Sequence, residues 1–271
     1  MNYISIFTKF CINRYFELEV VKAHQQGYIN IPIYLSIGQD HIPAVISEIC
    51  IGWPLFPQHR CHSWCLSWGM DPKSIVKELL GRKDGCNKGM GGSASLASKK
   101  HKIFGHSGLL GDQVPIAVGY AQASQTKTIV ILGDAAAEED YVLASLGCAA
   151  THKVPILFIC EDNNLSILTE KRVRRSWNLQ NIARSMEIPS YNIDDDIEQV
   201  FNTTLIATAN LPAFININTK RHMWHAGSGK DYEPNYDQFT KYFYIDEKHT
   251  SNIKSQTQEY MEKLWKQLPT Q

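Results

Sequence analysis

Three apolar runs constrain this chain more than any other feature: TIVIL at 128–132, VPILFIC at 154–160 and PAFININ at 212–218. Each has the length of a strand, and helix-length segments separate them. Strands this continuously apolar belong in a parallel sheet with helices covering both faces. The pattern predicts strands at 128–132, 154–160, 187–193 and 212–218. Helices are expected between them, at 114–124, 136–152, 177–186 and 196–209.

The flanks are more polar. The first 25 residues read as a helix with a ragged apolar face at Phe7, Phe10, Cys11, Arg14 and 16–18, broken by QQGYINIP. Short helices are expected at 40–50 and at 72–80, the latter opened by Asp71-Pro72. A polar helix is expected at 246–267. Residues 81–113 are rich in Gly and Ser and resist regular structure, and a long irregular segment in a compact domain is commonly functional. No linker, repeat or low-complexity tract divides the chain. The expectation is one α/β domain over 1–271, with a helical N-terminal segment and a short C-terminal helix.

Composition narrows the function classes. Lys plus Arg and Asp plus Glu number 27 each. Zero formal charge gives no support for a nucleic-acid or membrane-surface partner. Seven scattered cysteines show no CxxC pair and no disulfide-scaffold spacing. With no signal-peptide core at the N-terminus, the expected location is cytoplasmic.

The candidate site comes from two strand ends. GDAAAEED begins at Gly133 and CEDNN at Cys160. A right-handed crossover makes their strands parallel, so Asp134 and Asn163 reach the same C-terminal edge, where open α/β sheets bind ligands. Singly, an Asp before a helix reads as a cap and DNN as a turn. Together, a carboxylate and an amide oxygen beside a helix N-terminus suit Mg²⁺ anchoring a diphosphate.

GDAAAEED…VPILFICEDNN resembles the thiamine diphosphate signature, GDG followed about thirty residues later by NN. YLSIGQD, HRCHSWCLSWGMDPKSIVKELLGRKDGCNKGMGGS and SGLLGDQVPIAVGYA follow the same family's order. Over about residues 5 to 230 the chain resembles the alpha subunit of the thiamine-dependent component of 2-oxo acid dehydrogenases, the pyruvate, branched-chain and acetoin enzymes. That resemblance implies a thiamine diphosphate-binding fold, in its diphosphate-binding half. It implies Mg²⁺ ligation by Asp134, the Asn163 side chain and the Leu165 carbonyl. It implies diphosphate contacts from His59, Arg60 and the amides of Ala135 and Ala136, and aminopyrimidine contacts from the main chain of Gly108 and Leu110. His225 matches the family's active-site histidine. A beta subunit would supply the Glu at the aminopyrimidine N1′, in an α2β2 heterotetramer, and a lipoyl acyltransferase would accept the acyl group of a decarboxylated 2-oxo acid.

The chain departs from the family at Ala135 (for Gly), Asp162 (for Asn), Tyr34 (for His), and Trp224 and Ala226 (for Gly and Ser). Ala135 requires a negative φ. Tyr34 and Trp224 are expected to reshape the substrate side, which keeps open an acyloin-forming or acyl-transferring enzyme acting on a carbonyl acceptor. An inactive scaffold homologue is a third reading, opposed by the presence of Asp134, Asn163, Arg60 and His225. HRCHSWC fits no zinc-finger spacing, so Cys61 and Cys65 are expected as small buried residues. GCNKGMGGS at 85–93 lacks the Walker spacing and is expected as a structural loop near the cofactor.

Overall fold

The computed structural model describes residues 1–231, 237–241 and 247–267. Its strands are β1 (Leu55–Phe56), β2 (Thr128–Gly133), β3 (Ile156–Asp162), β4 (Leu165–Ser166), β5 (Thr169–Glu170), β6 (Ser190–Asp194) and β7 (Ala213–Asn218). Five of them form a parallel sheet in the order β1-β2-β3-β7-β6, and β4 and β5 pair as a small antiparallel hairpin. The helices are α1 (Tyr3–Gln25), α2 (His41–Cys50), α3 (His62–Ser67), α4 (Pro72–Leu79), α5 (Gln113–Ser124), α6 (Asp140–Thr151), α7 (Lys171–Arg174), α8 (Leu179–Ser185), α9 (Ile197–Thr208), α10 (Gln238–Lys241) and α11 (Glu247–Lys266).

The apolar runs work as two-sided strands. Ile129, Ile131, Leu157, Ile159, Ile215 and Ile217 join one buried cluster with side chains of α1, α2 and α9. Val130, Leu132, Phe158, Cys160 and Phe214 join the other, with α5, α6 and α8. This is the period-two alternation of a strand, apolar in both phases because helices cover both faces. The α/β expectation holds. Among the described residues, no helix is long and apolar enough to cross a membrane.

Four local expectations need correction. The helix expected at 136–152 is interrupted: Ala136–Glu138 is a 3-10 turn, Glu139 is extended (φ −71°, ψ 135°), and α6 starts at Asp140. The strand expected at 187–193 starts at Ser190 instead. Residues 187–189 serve the preceding helix end, where Glu187 is left-handed (φ 65°) and the Ile188 N–H donates to the Ala183 carbonyl at 3.1 Å. The two-residue β1, the hairpin and α3 were not anticipated. Leu18 is exposed, so the apolar face of α1 is carried by Ile6, Phe7, Phe10, Phe16 and Val20. The polar tail helix is α11 over its described part, with Met261 and Leu264 buried in the cluster containing α1; residue 246 lies outside the described residues.

The irregular segment has an internal anchor. The buried Glu78 carboxylate, on α4, accepts the backbone N–H groups of Asn87 (2.7 Å), Gly89 (2.9 Å) and Gly91 (2.7 Å). The Gly-rich loop at 85–93, expected as a structural loop, therefore wraps the chain's own carboxylate. Gly85 is required there, since a Cβ would overlap the Glu78 backbone. Glu78→Ala strands three donors, each costing about 1–3 kcal/mol when left unsatisfied. Stability is expected to fall by at least about 3 kcal/mol, read as an earlier midpoint in urea unfolding. An unmoved midpoint would mean that water replaces the carboxylate without loss.

Candidate functional site

The C-terminal edge of the sheet carries a cavity of about 280 Å³. Segments following four strands build it: 57–60 after β1, 134–136 after β2, 163–167 after β3 and the loop after β7. His59, Arg60, Gly108, Leu110, Asp134, Ala135, Ala136, Asn163, Leu165 and His225 all line it. Every residue to which the resemblance assigns a cofactor, metal or catalytic role is thus brought to one place. Tyr34, Gln58, Ala94, His106 and Arg221 join them there.

A buried anion and a buried cation share this cavity. Asp134 is 1% exposed. Burial, reinforced by the nearby Asp162 carboxylate, pushes its pKa up to about 6, against the pull of Arg174. Ala135 has φ −72°, the negative value that a side chain at this position requires. Asn163 donates its Nδ2 to Gln39 Oε1 at 3.0 Å and accepts the Leu165 N–H on Oδ1 at 3.1 Å. Gln39 belongs to the YLSIGQD segment, so that motif sets which way the Asn163 amide faces. Arg60 is 3% exposed and donates to the Leu35 carbonyl at 2.5 Å, but makes no ion pair with any carboxylate among the described residues. Burial first, then the Arg221 charge, bring its pKa down to about 10. An unpaired guanidinium under this much desolvation calls for an anionic ligand.

One wall of the cavity is aromatic. The Tyr34 ring meets His59 at 5.0 Å and His225 at 5.4 Å between centroids, and His59 lies 5.3 Å from His225. Burial, then Arg60, then His225 hold His59 well below the ordinary histidine range. Burial, Arg60 and Arg221 lower His225 to about 4. Both imidazoles are therefore neutral at neutral pH. His106 is buried too, and its Nδ1 accepts the Gly108 N–H at 2.9 Å. The Leu110 carbonyl accepts the Tyr141 hydroxyl.

Backbone bonds pin the loop carrying His225. His222 donates its N–H to the Ile37 carbonyl (3.0 Å), Gly227 to Ile33 (2.9 Å), Trp224 to Gly229 (2.8 Å) and Asp231 to His222 (3.0 Å). Arg221 is 1% exposed, pairs with Asp231 at 2.5 Å and donates to the Ile167 carbonyl at 2.8 Å. Gly38 (φ 98°) is needed where this loop docks, because a Cβ would strike the Lys220 carbonyl and the His222 ring. Asp40 is fixed by Arg14, which bonds it at 2.6 and 2.9 Å while also holding Asp237. Trp224, expected on the substrate side, lines a separate surface hollow with Ala226 and does not line the cavity. Of the two departures thought to reshape that side, only Tyr34 touches the site.

The His62, Cys61 and Cys65 side chains of HRCHSWC are taken up by hydrogen bonds and core packing. His62 pairs with Glu17 (3.2 Å) and meets the Ser93 hydroxyl (2.8 Å), while the buried Cys61 donates to the Ser93 carbonyl (3.5 Å) and Cys65 is buried in the core. Among the described residues there is no group of three His, Cys, Asp or Glu side chains that could hold a metal. The oxygen set that the resemblance implies, Asp134, Asn163 and the Leu165 carbonyl, contains only one such side chain and is not of that kind. A hollow of about 450 Å³ lies beside Asp194, Asp195 and Asp196. Its acids are already engaged: Asp194 by Asn218, Asp195 by Thr219 and Gln238, and Asp196 by Lys241 and the N-terminus of α9.

Sequence reasoning missed one feature at the heart of the site: Arg174 donates to the Asp134 carboxylate. The signal available was the basic run KRVRR at 171–175, close behind two acidic strand ends.

A family model for the dehydrogenase E1 component matches residues 44–251. The chain belongs to this family. Among E1-component relatives, the pyruvate dehydrogenase E1 component subunit alpha of Rickettsia prowazekii is 31% identical over 244 residues, covering 83% of this chain and 73% of that one. The subunit of the same name from Rhizobium meliloti is 30% identical over 67% of this chain and 54% of its own. The somatic mitochondrial form of Pan troglodytes is 29% identical over 80% of this chain and 58% of its own. The E1-component fold is also that of a solved transketolase from Campylobacter jejuni, with TM-score 0.65 and 17% identity over 98% of this chain. This chain spans about half (48%) of that transketolase, a likeness of fold alone.

Proposed function

We propose that this chain is the alpha subunit of a two-subunit, thiamine diphosphate-dependent enzyme that decarboxylates a pyruvate-like 2-oxo acid and passes on the acyl group. The observation that carries this reading is the pairing, in one cavity, of the buried Asp134 carboxylate with the buried, unpaired Arg60 guanidinium. A diphosphate bridged by a divalent cation satisfies both charges at once. The donor set fits Mg²⁺, because Asp134, Asn163 and the Leu165 carbonyl offer hard oxygens at two adjacent strand ends.

When bound, thiamine diphosphate would supply the carbanion chemistry that releases CO₂. This chain's residues bind and orient it. Arg60 and His59 would hold the diphosphate, together with the amides of Ala135 and Ala136. The main chain of Gly108 and Leu110 would hold the aminopyrimidine, and His225, a neutral imidazole lining the same cavity, would donate to a developing oxyanion. The N1′ Glu would come from a beta subunit, in an α2β2 assembly, with a lipoyl acyltransferase as the acceptor. Tyr34 favours a second reading, in which the acyl group goes to a carbonyl acceptor, since its ring packs against both His59 and His225 on the reacting side.

The test is co-purification with the partner subunit, followed by a screen of 2-oxo acids for CO₂ release. The pair is expected to turn over, and the chain alone is expected to be inactive with every 2-oxo acid. Turnover by the rigorously pure single chain would sink the half-site reading.

A further inference from the structure

Three basic side chains from one short segment close over the acidic strand ends. Lys171 pairs with Asp162. Arg174 reaches Asp134 with Nη2 and Glu138 with Nη1. Arg175 donates to the Asp134 backbone carbonyl at 2.6 Å and lies 3.3 Å from Glu138. Backbone bonds from Lys171 N to the Asn164 carbonyl and from Arg175 N to the Lys171 carbonyl, both 2.9 Å, hold the segment in place. Arg172, on the same helix, faces the other way, with its side chain 80% exposed and paired, among the described residues, only with Glu170.

The ion pair at Asp134 is a buried one, with the Arg174 side chain 12% exposed and that of Asp134 2%. Two cations brought to one carboxylate repel each other, and burial leaves that repulsion poorly screened. Glu138 offers the guanidinium somewhere to stay: its side chain is 27% exposed, and Arg174 already holds it. Leaving Asp134 therefore costs Arg174 one of two carboxylate partners.

We propose that Arg174 is an internal counter-cation that occupies the Asp134 carboxylate in the metal-free chain and withdraws onto Glu138 when a divalent cation binds, so that metal affinity is set by competition with this side chain. This rests on Asp134 being the cation ligand in the function proposed above.

The test is a titration of the full chain, free of thiamine diphosphate, with Mn²⁺. Bound metal is read from the loss of the free-ion paramagnetic resonance signal at constant pH and ionic strength. Arg174→Gln is expected to bind Mn²⁺ at least about tenfold more tightly than the unaltered chain. Arg174→Lys, which keeps the charge but loses the two-armed grip, is expected to fall between. Arg172→Gln removes the same charge from the same helix away from Asp134 and is expected to stay within about threefold of the unaltered chain, while Asp134→Asn is expected to lose Mn²⁺ binding. Circular dichroism melting confirms that each variant is folded; should Arg174→Gln fail to fold, Arg174→Lys carries the comparison. If Arg174→Gln binds no more tightly while Asp134→Asn still abolishes binding, the competition is refuted and the cation site stands. An equal gain in Arg172→Gln refutes it too, since net charge alone would then explain the effect. If Asp134→Asn binds Mn²⁺ like the unaltered chain, both the cation assignment and this proposal fall.

Discussion

Asp134→Ala is expected to abolish retention of thiamine diphosphate by the assembled enzyme. Asp134 offers the one ionised oxygen donor in the proposed metal set, and Mg²⁺ without it would hold only neutral oxygens. The diphosphate would then be left to Arg60, His59 and the amides of Ala135 and Ala136, with no bridging cation. The variant also strips Arg174 of one carboxylate, so some loss of stability accompanies the change. Asp134→Asn keeps the shape and a neutral oxygen acceptor for Arg174, so its melting is expected to fall less than that of Asp134→Ala while cofactor binding is still lost. Calorimetry with Mg²⁺ and thiamine diphosphate decides the matter. Cofactor affinity unchanged in both variants would leave Asp134 as no more than the ion-pair partner of Arg174.

His225→Ala is expected to slow turnover by about two orders of magnitude or more, the usual loss for a positioned proton-handling group, with cofactor affinity nearly unchanged. The imidazole packs against both Tyr34 and His59 in the cavity wall. Burial, Arg60 and Arg221 keep its pKa near 4 in the ligand-free chain, so at pH 7 it acts as a neutral donor. Its proton resonances should titrate well below pH 6, and an ordinary midpoint near 6.5 would contradict the burial on which this rests. His222, its neighbour in the loop, is unsuitable as a control, because its ring packs against Gly38 and the residue is 6% exposed. His152, exposed just before β3 at the opposite edge of the sheet, serves instead. If His225→Ala matches His152→Ala in turnover with the beta subunit present, the catalytic assignment of the loop is wrong.

Both predictions depend on side chains that the sequence could place at a sheet edge but could not give partners. Asp134, Asn163 and His225 were legible because they come soon after apolar runs, and parallel strands bring their C-terminal ends to a common edge. His59 and Arg60 come after β1, two residues that pair with β2 at Ile129 and Val130, and so short a strand has no periodicity of its own. The break at Glu139 was hidden in a sequence with good helix formers on both sides. In the folded chain Glu138 is needed by Arg174 and Arg175 instead.

The sequence by itself determined the α/β architecture, the parallel crossover from β2 to β3 and the sheet edge to which the candidate residues come. Hydrophobic periodicity is a local property, and right-handed crossovers do the rest. Tertiary structure alone decided where the charges go. It wrapped the Gly-rich loop around Glu78, left Arg60 unpaired in the cavity, and set Arg174 against Asp134. Ion pairing is settled by distance and desolvation between residues far apart in the chain, and neither quantity is written in the order of the residues.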